Sequence, residues 1–193
     1  MTAGNAPPRP KRGLLLLLLL LFFSPLLVAF LVYYGSSWRP VGRTNHGTLI
    51  EPPLPLPRVA LPPADAQLLI GKWSLVYIGD GACDSQCRNT LYFIRQTQLS
   101  LGNLIPRVQR VWLATNHCCD RSADSELQPP LIAIDAQATA AAPLLAMFPE
   151  DQRATTIFIV DPRGNLMMRY DSNADPKGLR EDLKKLLSLS HIG

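Results

Sequence analysis

The sequence lacks a basic stripe with interleaved aromatic residues, the pattern that is typical of nucleic-acid-binding proteins. Its net charge is +4 over 193 residues, but the basic residues are spread along the chain and several lie in the first twelve positions. We therefore expect no nucleic acid among its partners. Internal repeats are also missing, and the length allows one domain with an appendage.

Cysteine is scarce. The four cysteines form two close pairs, Cys83 with Cys87 and Cys118 with Cys119. This number and spacing fit neither a small disulfide scaffold nor a zinc ribbon, in which two residues usually separate the members of a pair. The context of each pair must therefore indicate its chemistry.

Charge is missing from Leu14 to Tyr34, a stretch dominated by Leu, Phe and Val. As a helix it would span about 30 Å, one hydrocarbon thickness. Basic residues precede it, so the positive-inside rule predicts that residues 1–13 are cytoplasmic and that the remainder is exported. A cleaved signal peptide is the alternative, but the apolar run is long and Phe30–Tyr34 is too bulky for a cleavage site. We expect a single-pass anchor at residues 14–34.

The expected location is the bacterial inner membrane, with the C-terminal domain in the periplasm, where thiols can be oxidised. In a eukaryote, the equivalent place would be the outer-facing side of an organelle membrane. Residues 35–63 are rich in Pro, Gly and Ser, which predicts a semi-rigid spacer. A small turn at residues 45–47, packed on the domain, is an alternative for part of this spacer. Residues 64–193 have the size of one domain.

Hydrophobic patterning in the domain predicts the order β-α-β-α-β-β-α. The first three strands alternate with helices, so we expect them to be parallel, with a final hairpin adding an antiparallel edge. This arrangement is α/β and thioredoxin-like, with three layers in which helices flank a central mixed sheet. The predicted strands are 73–78, 110–115, 155–160 and 166–170, and the predicted helices start near Cys87, Asp135 and Asp175.

Cys83 and Cys87 lie between the first strand and the first helix of the domain, after the turn Gly79-Asp80-Gly81. A cysteine at a helix N-terminus feels the positive end of the helix dipole, which favours the reactive thiolate. Thiolates attack disulfides and bind soft metals such as Cu(I). The alternative is a structural disulfide or two buried thiols, neither of which needs this setting. We therefore predict redox or metal chemistry at Cys83 and Cys87.

The chain resembles the Sco/SenC family. The resemblance rests on Gly71-Lys72-Trp73, the Cys83-x-x-x-Cys87 motif and Ile159-Val160-Asp161-Pro162-x-Gly164, and it covers roughly residues 60 to 190. It implies a membrane-anchored, thioredoxin-like protein that assists copper insertion into cytochrome c oxidase. By the same resemblance, Cys83 and Cys87 are the copper-binding and redox cysteines, and the partner is a cytochrome oxidase subunit or another redox or copper protein.

The chain departs from the family at the third copper ligand, which the resemblance implies to be a histidine before the third predicted strand. Residues 149–155 contain no histidine, and Arg153 lies about where the ligand is expected. A guanidinium stays protonated and has no lone pair for copper. A thioredoxin normally has a cis-proline just before this strand, beside the cysteines, whereas no proline occupies that site here. We therefore expect action on one dedicated partner and not general disulfide exchange on unfolded proteins.

His117, Cys118 and Cys119 follow the second predicted strand. Ligands of open α/β sheets bind at the carboxyl ends of the parallel strands, where the Cys83 loop is also expected. We hypothesise that these three residues supply a substitute soft ligand or a resolving thiol. The alternative is an exposed loop with one cysteine in the core.

The residue patterns and the resemblance together predict a membrane-anchored, extracytoplasmic thiol–disulfide redox protein that assists maturation of a metalloprotein. The resemblance implies that the target is the copper centre of cytochrome c oxidase. Two alternatives remain open. One is a copper metallochaperone that uses Cys83 and Cys87 with a non-standard third ligand. The other is a redox-inert assembly scaffold.

Overall fold

The computed structural model describes residues 12–35, 44–61, 68–116, 130–190 and 192. Two compact units are present, Met1–Thr44 and Asn45–Gly193. The first contains helix α1, Arg12–Gly35, which includes the predicted span 14–34. Among the described residues, α1 is the one helix long and apolar enough to cross a membrane, and none of its residues is buried. These properties suggest a membrane anchor.

The second unit is built on a six-stranded sheet with the strand order β1-β6-β5-β2-β3-β4. Helix α2, Ser85–Leu99, follows β2, and helix α4, Pro176–Leu189, follows β6. Between β4 and β5 lies the short helix α3, Ala142–Leu145. The strands are β1 Thr48–Pro55, β2 Trp73–Gly79, β3 Val108–Ala114, β4 Leu131–Asp135, β5 Thr156–Val160 and β6 Asn165–Asp171, with 3-10 helices at Gly102–Arg107, Thr139–Ala141 and Glu150–Thr155.

The mixed sheet with flanking helices confirms the predicted fold class, but one strand direction was wrong. Strands β2, β3 and β4 are parallel, whereas β5, the third predicted strand, pairs antiparallel with both β2 and β6. The third parallel strand is β4, which the sequence analysis missed. Its five residues form a short apolar run, and periodicity does not distinguish such a run from a piece of helix. The helix predicted from Asp135 is correspondingly reduced to a 3-10 turn and α3.

The predicted spacer, residues 35–63, is corrected in its second half. Strand β1 lies there and pairs antiparallel with β6, Thr48 opposite Arg169 and Leu54 opposite Leu166. Prolines are tolerated in β1 because it is an edge strand. The alternative of a packed turn at residues 45–47 is confirmed, since the backbone N–H groups of His46 and Gly47 both donate to Asp182 on α4.

Alternating side chains of β2 contribute to two hydrophobic clusters, one on each face of the sheet. Trp73, Leu75 and Tyr77 belong to the cluster that includes α2 and α4. Val76 and Ile78 belong to the cluster that includes α3 and the chain before β2. Because both faces are covered, all seven residues of β2 are buried. The central strand therefore provides a rigid base for the loop that follows it.

Candidate redox site

A disulfide joins Cys83 and Cys87 at the carboxyl end of β2, with 5.1 Å between their Cα atoms. The loop before it is held by Asp80, whose carboxylate accepts from the N–H of Ala82 at 2.8 Å and whose carbonyl accepts from the N–H of Cys83 at 3.1 Å. The predicted strand, turn, cysteine pair and helix are therefore all present in that order.

Asp84 starts helix α2. It is the N-cap residue, and its Oδ1 accepts from the N–H of Cys87 at 2.9 Å. Such a cap satisfies one of the free N–H groups of the first turn. Cys87 thus lies in the first turn of α2, on the same buried face as Thr90, Leu91 and Ile94.

Both sulfur-bearing side chains are covered. Cys83 and Cys87 are each only 3% exposed and belong to the cluster on the α2 side of the sheet. Thiol–disulfide exchange needs a thiolate to reach one of the two sulfurs directly. Exchange at this disulfide therefore requires a local movement of the loop or of the first turn of α2.

Charged groups of both signs lie next to the disulfide. The Asp80 and Asp84 carboxylates accept from backbone N–H groups of the loop and the helix. Arg88 supplies the positive charge, and its Nη1 donates to the carbonyl oxygen of Cys83 at 2.7 Å. A cationic side chain is therefore in direct contact with the backbone of Cys83.

Tyr77 connects the α2 side of the site to the 3-10 helix Glu150–Thr155 before β5. The sequence analysis did not identify it as a site residue. Its hydroxyl donates to the carbonyl oxygen of Ala154 at 3.3 Å. Burial raises the pKa of Tyr77 and the nearby Asp84 carboxylate raises it further, while a hydrogen bond with Thr90 acts in the opposite direction. Alternation along β2 could have identified this residue, because Tyr77 follows Trp73 and Leu75 on one face.

Arg153 has a structural role at the position where the family histidine is expected. Its guanidinium donates to the carbonyl oxygens of Leu145 and Phe148 at 2.8 and 3.0 Å, and it pairs with Glu150 at 3.5 Å. Arg153 therefore offers no donor to a metal, whereas the two cysteine sulfurs are soft donors that could hold Cu(I) once reduced. No group of three His, Cys, Asp or Glu suited to a metal occurs in the described part of the chain.

His117, Cys118 and Cys119 lie outside the described residues, so their approach to the disulfide stays a prediction. Asn116, the residue before them, makes two contacts with the turn after β2. The carbonyl oxygen of Asn116 accepts from the N–H of Gly81 at 2.7 Å, and its side chain donates to Asp80 at 3.0 Å. The end of the described segment after β3 is thus attached to the loop that carries Cys83.

Comparisons with known proteins agree with this architecture. The family described as "transmembrane-like, thioredoxin-like, C-terminal domain" matches residues 73–190, which is more than half of the chain. A search of curated proteins finds no match.

Solved structures of Sco proteins share the fold. The apo Sco1 protein of Thermus thermophilus has 18% identity and a TM-score of 0.60, covering 76% of this chain and 99% of its own. A SCO1/SenC family lipoprotein from Bacillus anthracis has 15% identity and a TM-score of 0.51, covering 72% and 99%. Yeast Sco1 with copper bound has 17% identity and a TM-score of 0.50, covering 62% and 80%. The Sco/SenC resemblance predicted from the sequence is therefore confirmed for the fold.

Proposed function

The chain belongs to the transmembrane-like, thioredoxin-like C-terminal domain family, and from this membership we propose that it is a membrane-anchored thiol–disulfide redox protein that acts through Cys83 and Cys87. The observation that carries the proposal is the disulfide between these residues, at the carboxyl end of the central strand and the start of α2. A helix N-terminus favours the thiolate that exchange requires.

The proposed reaction reduces a disulfide of a partner protein. In the reduced chain, the Cys83 thiolate attacks one partner sulfur, forms a mixed disulfide and releases one partner thiolate. The Cys87 thiolate then attacks the sulfur of Cys83, which closes the Cys83–Cys87 disulfide and releases the second partner thiolate. Two electrons pass from this chain to the partner, and a separate dithiol protein returns them. Cys83 is assigned the attacking role because it lies in the loop before α2, whereas Cys87 is held in the first turn of the helix by the Asp84 cap and is assigned the resolving role.

The proposed partner is a metalloprotein outside the cytoplasm, namely the copper-bearing subunit of cytochrome c oxidase. Copper-binding cysteines must be reduced before they can accept the metal, so a disulfide reductase suits this assembly step. The Sco/SenC resemblance of the sequence supports this partner. Helix α1 supports an anchored protein, and the basic residues before it support a periplasmic domain at a bacterial inner membrane.

A copper carrier is the second candidate, and the attachment of Asn116 to the Cys83 loop favours it. His117 directly follows Asn116 in the sequence, which makes it the first candidate donor after the attached residue. Under this proposal, copper is the cargo, held by Cys83, Cys87 and one donor from His117, Cys118 or Cys119.

The redox proposal is tested with the full chain in detergent. We expect the Cys83–Cys87 disulfide to equilibrate reversibly with a dithiothreitol buffer, and we expect Cys83→Ser to abolish reduction of a partner disulfide. Cys87→Ser should trap the mixed disulfide, because the resolving thiolate is lost. Ala140→Ser, at an exposed position in the 3-10 helix before α3, serves as a matched control that leaves all four cysteines intact. If the biological effect is unchanged when both Cys83 and Cys87 are replaced, the redox proposal is refuted and the scaffold alternative is left.

Copper is tested by anaerobic titration of the reduced chain with Cu(I) against a competing chelator. Stoichiometric binding that is lost in Cys83→Ser supports the carrier, and weaker binding in a Cys118→Ser, Cys119→Ser double variant would assign the third donor. Binding no tighter than that of Cys83→Ser would refute the carrier and leave the redox proposal standing.

A further inference from the structure

Cys83 adopts an unusual backbone conformation. Its φ of +45° is the only positive φ of a non-glycine residue among those the structure describes. The left-handed region is unfavourable for a residue with a Cβ atom, so neighbouring contacts must hold Cys83 there.

The contacts that hold Cys83 are few. Its N–H donates to the carbonyl oxygen of Asp80, and its carbonyl oxygen accepts from the Arg88 guanidinium at 2.7 Å. The first contact is local to the turn. The second joins Cys83 to the start of α2, because the backbone N–H of Arg88 donates to the carbonyl oxygen of the N-cap residue Asp84 and so closes the first helical turn. Arg88 therefore connects the two sides of the disulfide, the loop of Cys83 and the helix of Cys87.

We propose that Arg88 is the positioning residue for exchange at Cys83, and this inference rests on the proposed redox function. The guanidinium holds the Cys83 carbonyl, and with it the backbone geometry in which the two sulfurs are bonded. The two cysteines are each 3% exposed, so exchange needs movement of the Cys83 loop or of the first turn of α2. Release of the Arg88 contact frees the loop for that movement.

A second contact at the first turn shows what distinguishes Arg88. Gln86 donates to Asn173, in the turn between β6 and α4, at 3.0 Å. This contact fixes the helix side of the disulfide and does not reach the loop of Cys83. The contact from Arg88, in contrast, is made to Cys83 itself.

The positive charge of Arg88 would shift the thiol–disulfide equilibrium in the direction opposite to that of its hydrogen bond. A positive charge near the sulfur stabilises the thiolate and hence the reduced form, so its loss would favour the disulfide. Arg88 is exposed, and its charge is screened by water, whereas the short charge-assisted hydrogen bond is specific to the observed geometry. We therefore infer that the positioning effect is the larger one.

The test compares Arg88→Met and Arg88→Lys with the unaltered full chain in detergent. The equilibrium with a dithiothreitol buffer and the rate of disulfide reduction are both measured. We expect Arg88→Met to shift the equilibrium toward the dithiol by about three- to tenfold and to speed reduction similarly, the effect of one lost hydrogen bond to a charged group at an exposed position. Arg88→Lys should give an equilibrium and a rate between those of Arg88→Met and the unaltered chain, since the lysine ammonium group can replace part of the contact.

Arg163→Met is the matched control. It removes the same charge from an exposed side chain in the β5–β6 turn, at the sheet end where β2 begins, about 20 Å from the disulfide end. We expect it to behave as the unaltered chain does. A near-ultraviolet circular dichroism spectrum checks that each variant is folded, and the lysine variant provides the comparison if the methionine variant does not fold.

Three outcomes overturn the inference. Values for both Arg88 variants that equal those of the unaltered chain mean that Arg88 does not position Cys83. A shift of Arg88→Met toward the disulfide, with Arg88→Lys unchanged, means that its charge dominates. A disulfide in the unaltered chain that does not equilibrate at all refutes the proposed function and this inference with it. The first two outcomes leave the proposed function intact.

Discussion

Replacement of Asp182 by alanine is expected to loosen the start of β1 from the rest of the domain. Asp182 lies on α4 and is 3% exposed, and its Oδ2 accepts from the N–H groups of His46 and Gly47, both at 2.8 Å. Its Oδ1 lies 3.2 Å from Nδ1 of His46. One carboxylate thus fixes the chain at the point where it enters the sheet.

The magnitude follows from these contacts. A hydrogen bond to a charged group contributes about 1.5 to 3 kcal/mol, and water can replace part of this contribution because His46 is exposed. We expect Asp182→Ala to lower the free energy of unfolding by about 2 to 4 kcal/mol after allowing for the better helix propensity of alanine. For a domain of about 150 residues, a loss of 3 kcal/mol lowers Tm by about 6 to 12 °C. Asp182→Asn keeps an acceptor and should cost less.

The assay is urea unfolding of the full chain in detergent, with hydrogen exchange to follow the amides of β1. Glu181→Gln is the matched control, because Glu181 is half exposed and its nearest nitrogen partners, on His46 and Lys177, lie 3.7 and 3.9 Å away. Such surface pairs contribute about 0 to 1 kcal/mol. Equal stability of Asp182→Ala and Glu181→Gln, or unchanged exchange in β1, would refute the role of Asp182.

Three further substitutions test the packing around the site. Burial raises the pKa of Tyr77 above 10.0, so the folded state favours the neutral phenol. The resulting stability is present below pH 10 and is lost as the pH rises through the raised pKa. Tyr77→Phe should therefore flatten the alkaline decline in the free energy of unfolding, measured in an unfolding series against pH. Gly178→Ala should destabilise the chain by about 1 to 3 kcal/mol despite better helix propensity, because the new Cβ would lie 2.8 Å from Cβ of His46; an increase in Tm would contradict this. Arg153→Met loses the hydrogen bonds to two carbonyl oxygens and should cost about 1 to 3 kcal/mol by urea unfolding, whereas no change would show that these contacts contribute nothing.

Local patterns predicted the elements that are long or carry strong signals. The apolar run of α1, the buried strand β2 and the capped helix α4 all follow from a few neighbouring residues. The position of Cys83 and Cys87 between a strand and a helix was also predicted, because turn residues and helix signals lie next to them in the sequence. The direction of β5 and the existence of β4 were not predicted, because both depend on which strands meet in space.

Local residue patterns were sufficient to predict the apolar segment of α1, the mixed α/β architecture and the two cysteines as the candidate reacting groups. Three-dimensional packing was needed to reveal that Thr48–Pro55 is a strand and that Asp182 fixes the chain before it. The pairing of β2 with β3 brought Asn116 to the Cys83 loop. The reason is physical, since hydrogen bonds such as that between His46 and Asp182, 136 positions apart, depend on the packing of whole elements, and local residue preferences do not specify that packing.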